Sequence, residues 1–248
     1  RPTYNDIAPF VFFWSPNIFS AGNTSLWPAI SEAARIEYRD RRWSINIEYN
    51  HTAREIINLF QPERDTASNS LIFRSQNLAY LNTLALSNMW SFNVRSWWDV
   101  QANVTLQHQD GQTQHLKKNI SLDRWSVNLN ATNIVRLPHD ITIELSAFYR
   151  SASIYGISAF LPYGSLNAGI QKKFGEKGTL KLAMDDILYT NVWRISTNRP
   201  DEDINSKIRY DWHNQYIRLS YSRSIGNSKL RSVKIKSGST EEQGRVTN

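Results

Sequence analysis

Hydrophobic positions recur at every second residue along much of this chain. From Trp43 to Asn50 the sequence reads Trp-Ser-Ile-Asn-Ile-Glu-Tyr-Asn, apolar at each odd position and polar at each even one. The pattern returns at Trp98 to Gln107, where Trp98, Val100, Ala102, Val104 and Leu106 alternate with Asp99, Gln101, Asn103, Thr105 and Gln107. It returns again with Ile141, Ile143, Leu145, Ala147 and Tyr149. Successive side chains of a strand point to opposite faces, so each segment is apolar on one side and wet on the other. The same reading predicts about nine strands, at roughly 31–39, 42–58, 70–93, 97–109, 114–136, 140–153, 162–174, 179–194 and 206–225. Residues 1–30, with Pro2, Pro9, Pro16 and Pro28, read as a loop.

The connections sort into two kinds. Tight turns fall at 40–41, 95–96, 137–140 and 175–178, and longer loops at 61–69, 154–161 and 195–205. Asp110-Gly111-Gln112 reads as a further loop, and a slip of phase between Leu122 and Trp125 predicts a bulge. Trp43, Trp90, Phe92, Trp97, Trp98 and Phe174 cluster beside the tight turns. Outer-membrane barrels have short periplasmic turns, long extracellular loops and aromatic girdles at the interfaces. A soluble β-sandwich also alternates, but its strands are shorter. These strands often exceed the ~9–11 residues of a membrane crossing, and their polar faces carry Asn, Ser, Thr and Gln more than Lys and Glu. The expected fold is therefore all-β, a transmembrane antiparallel β-barrel.

Composition agrees once read in that light. The 248 residues are only 40% hydrophobic, with a mean hydropathy of −0.51. A barrel hides its lipid-facing residues in a period of two that averages cannot see. No stretch approaches the roughly 18 apolar residues of a membrane helix. Cysteine is absent, which excludes disulfides and thiolate metal sites. The formal charge of +7 is scattered, and part of it lies after Gly226 at Lys229, Arg231, Lys234, Lys236 and Arg245. Without a basic patch, nucleic acid is not an expected partner.

Nine is an odd count, whereas single-chain bacterial barrels have even numbers. An open nine-stranded sheet would leave unpaired backbone groups in lipid, where each costs several kcal/mol. The nine strands are thus expected to be the C-terminal part of a larger barrel. Arg1-Pro2 reads like the end of a strand entering a loop, consistent with a start inside a larger protein. The expected organisation is a barrel segment over 1–225, with 1–30 an extracellular loop, and a disordered periplasmic tail over 226–248.

Catalytic chemistry is not legible. Of the five histidines, His108 and His115 flank Gly111, but two ligands are too few for a metal site, and both read as polar residues at a loop edge. Asp185-Asp186 are adjacent, so on a strand they point to opposite faces and form no carboxylate pair. There is no Gly-x-Ser-x-Gly, phosphate-binding loop or His-Glu-x-x-His motif. No enzyme, cofactor or metal is expected, and no ligand-binding residue is assigned. The expected lumen wall comprises Glu48, Asn50, Asp99, Gln101, Asn103, Glu144, Arg150, Asn167 and Gln171.

Three stretches carry a family resemblance. Gly22-Asn-Thr-Ser-Leu-Trp-Pro28 resembles the Gly-Asn-Pro-x-Leu-Lys-Pro-Glu loop of TonB-dependent receptors, with Trp27 for the usual Lys and Ala29 for the usual Glu. Met184-Asp-Asp-Ile-Leu-Tyr-Thr190 resembles their Val-x-Asn-Leu-Phe-Asp element. The opening Arg1-Pro-Thr-Tyr-Asn-Asp-Ile-Ala-Pro-Phe10 and the end, Ile217 to Lys229 followed by Ser239 to Val246, look like the outer membrane beta-barrel proteins of Bacteroidota. The resemblance spans nearly the whole chain. It implies a barrel of about 22 strands with an N-terminal plug, some thirteen of them upstream, and a periplasmic segment that meets a TonB-type energising protein. It places the protein in the outer membrane of a Gram-negative bacterium, with lipid around it. The loops at 1–30, 61–69, 154–161 and 195–205 would recognise a ligand of unspecified identity or a surface lipoprotein. The alternative, from a different class, is a non-transporting barrel that serves as a scaffold subunit in an outer-membrane assembly.

Overall fold

Nine strands run side by side in chain order in a single antiparallel meander: β1 (Ile30–Arg39), β2 (Trp43–Ala53), β3 (Tyr80–Arg95), β4 (Trp98–His115), β5 (Lys118–Leu137), β6 (Ile141–Arg150), β7 (Tyr163–Lys173), β8 (Thr179–Asp185) and β9 (Tyr216–Ser222). The computed structural model describes residues 1–57, 62–65, 70–115, 118–199, 204–223 and 225. β1 and β9 are the two edges of the sheet, and among the described residues they do not pair with each other. Every residue of both is exposed.

One end of the sheet is closed by tight turns. Asp40 N–H donates to Trp43 O (2.9 Å) between β1 and β2. His139 and Asp140 both take positive φ between β5 and β6, where short polar side chains tolerate the left-handed region. Gly178, at φ +121, closes the β7–β8 turn, and a Cβ there would lie 2.5 Å from Ser222 O. The opposite end carries the long connections. The first 21 residues supply a short helix (Tyr4–Ile7) and a hairpin (Val11–Ser15 with Ile18–Ala21). That hairpin pairs in parallel with Ser70–Arg74, which pairs in turn with Pro62–Asp65. A second loop sheet joins Ser153–Tyr155, Ser158–Phe160, Trp193–Arg199 and Ile204–Tyr210.

Several sequence expectations are corrected. Asp110-Gly111-Gln112 is not a loop: β4 continues through it to His115, and β5 returns from Lys118 in unbroken register. The predicted bulge between Leu122 and Trp125 is likewise absent. The phase of hydrophobicity changes there because the packing changes. Above the apolar band the concave side is the dry one, so Ile120 and Leu122 turn inward while Trp125 stays outward. A register shift does occur at Trp98/Asp99, in the pairing of β4 with β3.

Strand ends were also overextended. The strand expected over 42–58 stops at Ala53, where Arg54 takes φ +57. The one expected over 70–93 is three pieces, the first belonging to the loop sheet. The strand expected over 179–194 ends at Asp185, because Asp186 (φ +49) starts a turn. The one expected over 206–225 is split at Asp211–Gln215, so only Tyr216–Ser222 joins the main sheet. Residues 1–30 hold a helix and a hairpin and are not plain loop. The expected tail at 226–248 and parts of the loops at 61–69 and 195–205 lie outside the described residues.

Candidate functional site

The register sorts the sheet into two chemically different faces. One row reads Ile36, Ile47, Leu86, Leu106 and Val127 across five strands. The rows toward the turn end continue it with Ile45 and Val104, then Val100 and Leu145, then Val135, Ile143, Ile170, Leu182 and Leu219. The other face carries Asn46, Ser87, Thr105 and Asn128 in one row, and Gln101, Thr132, Ser146 and Asn167 in another. All nine expected wall residues, Glu48, Asn50, Asp99, Gln101, Asn103, Glu144, Arg150, Asn167 and Gln171, lie on this second face.

The apolar face is the exposed one. Ile47 is 46% exposed, and Leu84, Leu86, Leu145, Ile170 and Leu182 are also open. In water this distribution would be inverted, because burying apolar surface is what folding gains most from. Along β4 the outward positions are apolar from Trp98 through Leu106, and the band closes at the His108–Trp125 row, ten residues from Trp98. At ~3.3 Å per residue and a tilt of ~40°, that band is ~25 Å tall, the height of the apolar belt of an outer-membrane barrel. Its upper limit is marked by Tyr49, Leu84 and Trp125, and above it the outward row turns polar at His51, Asn82, Asp110 and Asp123. His51 Nδ1 donates to Asn82 Oδ1 (2.6 Å), and Asn82 Nδ2 donates to Asp110 Oδ2 (2.9 Å). Its lower limit carries aromatics, with Tyr38 and Trp43 rings 5.2 Å apart and Trp97 and Trp98 stacked at 6.1 Å.

The inner face carries paired charges from the turn end up to the top of β8. Arg136 meets Asp99 (2.5 Å), Lys181 meets Glu144 (3.9 Å) and Arg218 meets Asp185 (3.3 Å). The basic partner of each pair is about half exposed, so water shares in its solvation and each pair adds little stability.

At the loop end the inner face changes character. Leu78 (1% exposed), Ile120, Leu122 and Ile157 form a dry cluster, with Ile57, Leu81 and Ile154 against it. Loop residues thereby seat on the upper half of the β4–β5 hairpin. The first loop is pinned by Asp6. Its carboxylate accepts from Thr3 N (2.8 Å), Thr3 Oγ1 (2.6 Å) and Ser75 Oγ (3.1 Å). Burial pushes the Asp6 carboxyl up, but these bonds outweigh it and hold its pKa below the usual value. Gly22 fits because a Cβ would stand 2.1 Å from Ala8 O. Asn23 then donates to Asp6 O (2.6 Å) from its N–H and to Ser75 O (3.0 Å) from its side chain. The Gly22-Asn23 pair of the sequence motif is thus a loop-to-loop clamp.

The second motif is a turn. Asp186, 1% exposed, accepts from Thr190 N (3.0 Å) and Asn191 N (3.1 Å), and its own N–H donates to Asn167 Oδ1 (2.8 Å). Asp185 and Asp186 form no pair, but the reason is this turn and not the alternation of a strand.

Beyond that turn, aromatic rings gather on the concave side of the mouth. Trp193 and Trp212 meet edge to face at 4.9 Å, and Tyr210 stacks on Trp212 at 5.7 Å with 9° between planes. Tyr163 lies 6.0 Å from Trp193 and 6.0 Å from Phe148. Phe148, Tyr163, Trp193 and Trp212 line an open cavity of about 380 Å³, rimmed by Asn130, Arg150, Asn191 and Asn214. Arg150 sits over the Phe148 ring (5.6 Å) and donates to Asn130 Oδ1 (3.2 Å). Just outside, Asp211 accepts from Arg209 Nη2 (2.8 Å), Tyr189 OH (2.8 Å) and His213 N (3.2 Å). The Arg209 and Tyr189 bonds hold its pKa down at about 2. Sequence reasoning missed this platform, because the expected strands over 179–194 and 206–225 ran through it. The available signal was the density of rings, with Tyr189, Trp193, Tyr210, Trp212 and Tyr216 in one interval.

His108 faces outward, 3.3 Å from Asp123 Oδ2 and 4.6 Å ring to ring from Trp125. Among the described residues no group of three or more His, Cys, Asp or Glu side chains is placed to hold a metal. No described helix is long and apolar enough to cross a membrane.

An antiparallel sheet with an exposed apolar band outside, a charged polar wall inside and aromatics at the band's edges defines the wall of a membrane β-barrel. A family model, the outer membrane protein beta-barrel family, matches residues 1–222, and the chain belongs to that family. Its place is the outer membrane, with lipid against the Ile47–Leu86–Leu106 face. No curated protein and no solved structure matches the chain.

Proposed function

We propose that this chain is the C-terminal part of a larger, plugged outer-membrane transport barrel resembling TonB-dependent receptors. The observation that carries the reading is the pair of sheet edges that have no partner strand among the described residues, on a sheet with a polar inner wall. In hydrocarbon the open N–H and C=O groups of β1 and β9 require partner strands. A wall this polar borders water, and a barrel of about 22 strands is wide enough to need a plug. Tight turns on one end and long loops on the other orient the loops outward. The mouth they build is where an external ligand or a surface lipoprotein is met, and the turn end faces a periplasmic energising protein.

Closure is tested with disulfides, since the chain has no native Cys. In the full-length protein, single cysteines along β1 (Ile36→Cys and its neighbours) are paired with Leu219→Cys in β9. No cross-link is expected, because other strands intervene. Efficient cross-linking would mean that the nine strands close on themselves and would refute the larger barrel. Transport is tested by ligand accumulation in cells before and after collapse of the proton-motive force. Accumulation indifferent to both the collapse and deletion of the protein would refute transport and leave a scaffold.

A further inference from the structure

We propose that the aromatic platform at the loop-end mouth is a saccharide-binding subsite, an assignment that rests on the transport reading above for its place in uptake. Three features converge on that ligand class. The first is the shape of the walls. Trp193 stands at 90° to Trp212, so the two indoles form a corner of the cavity, and Tyr210, outside the cavity lining, stacks parallel to Trp212. Trp212 is 54% exposed, an open indole at a wet mouth. A pyranose offers one face of axial C–H groups to such a ring and keeps its hydroxyls at the rim.

The second feature is the chemistry of the rim. Asn130, Asn191 and Asn214 each carry both donor and acceptor groups, the pairing a hydroxyl needs. Asn214 Nδ2 donates to Asn191 O (3.4 Å), which leaves its oxygen as an acceptor. Arg150 is held by Leu129 O, Tyr149 O and Asn130 Oδ1, so it is fixed in place with further N–H groups to offer.

The third feature is charge. No carboxylate lines this cavity among the described residues, and a guanidinium does. An organic cation, the other common guest of an aromatic cage, is therefore disfavoured. A purely apolar guest would take water from the remaining donors and acceptors of the rim and return no hydrogen bond to them. The cavity volume of about 380 Å³ lies within the range of small-molecule sites, ~300–1,000 Å³.

The full-length protein is purified in an amine-oxide detergent, so that no sugar headgroup competes. Its tryptophan fluorescence is titrated with linear hexasaccharides of β-glucose, α-glucose, xylose, mannose and galactose, and with choline as the cation control. At least one saccharide is expected to shift the emission saturably. Trp212→Ala should weaken that binding about tenfold or more, and Trp212→Phe, which keeps a ring, much less. Trp97→Ala, at the turn end, should leave affinity unchanged. Folding of each variant is checked by its heat-modifiable gel mobility. The assignment is overturned if no saccharide binds at about 10 mM, if Trp212→Ala binds as the parent does, or if choline binds in its place. Saccharide binding without energised accumulation would uphold the platform and overturn transport. Energised accumulation of a non-saccharide would do the reverse.

Discussion

Val104→Arg is the most direct probe of the two-faced wall. Val104 sits in the outward row between Asn88 on β3 and Leu129 on β5. It lies six residues from Trp98 and four from His108, the limits of the apolar band. With ~3.3 Å per residue and a ~40° tilt, those steps place it ~15 Å above the lower limit and ~10 Å below the upper one. That is within a few ångströms of the bilayer midplane. An arginine there on the lipid face of a barrel costs ~2–4 kcal/mol, falling to ~0–1 near the interfaces. Gln101→Arg is the matched control. It lies on the same strand, in the row Ser91–Gln101–Thr132, and its guanidinium would enter the wet lumen. Its cost should stay below ~1 kcal/mol, because the charge keeps its water. The assay is reversible urea unfolding of the full-length protein in lipid vesicles, comparing midpoints at constant slope. Equal costs for the two variants would refute the assignment of faces. A larger cost for Gln101→Arg would mean that the faces are exchanged.

Asp186→Ala should destabilise the protein by roughly 1–3 kcal/mol in the same assay, since it strands the Thr190 and Asn191 N–H groups in a buried turn, and Asp186→Asn should cost less. Acid should loosen the mouth through Asp211. Its folded pKa of about 2 lies below the ordinary 3.8, so its contribution is complete above about pH 4. That contribution is lost as pH falls toward 2, which a change in Trp212 emission over that window, abolished by Asp211→Asn, would record. Gly22→Ala should unseat the first loop, because its Cβ would overlap Ala8 O, and limited proteolysis should then cut within residues 8–22 faster than in the parent. Unchanged cleavage would show that this loop is not clamped by Gly22-Asn23.

Much of the wall was legible before any coordinates. A strand has a period of two, so a run such as Trp43 to Asn50 states its own two faces. Once those faces are polar and apolar, slipping the register by one residue would invert them all. For that reason all nine expected wall residues share a face, and the aromatic positions mark the lower edge of the band. The family resemblance drawn from Gly22–Pro28 and Met184–Thr190 also points to the right membrane. The strand ends were not legible. Alternation continues through Arg54, Asp186 and Asp211–Gln215, whereas the chain leaves the sheet at these points through positive-φ turns at Arg54 and Asp186 and a break before β9.

The sequence alone determined the class of fold, the orientation of side chains along each strand and the membrane the chain inhabits. The first two follow from local periodicity and from the chemistry of lipid against water, and the third from the family resemblance. The tertiary structure decided what happens above the membrane. There the outward face no longer needs to be apolar and the inner face packs against returning loops, so Ile120 and Leu122 invert the pattern without any bulge. It also brought Phe148, Tyr163, Trp193 and Trp212 from separate segments to one cavity. No local period encodes such a meeting, because loop residues far apart in sequence converge only when the strands that carry them are in register.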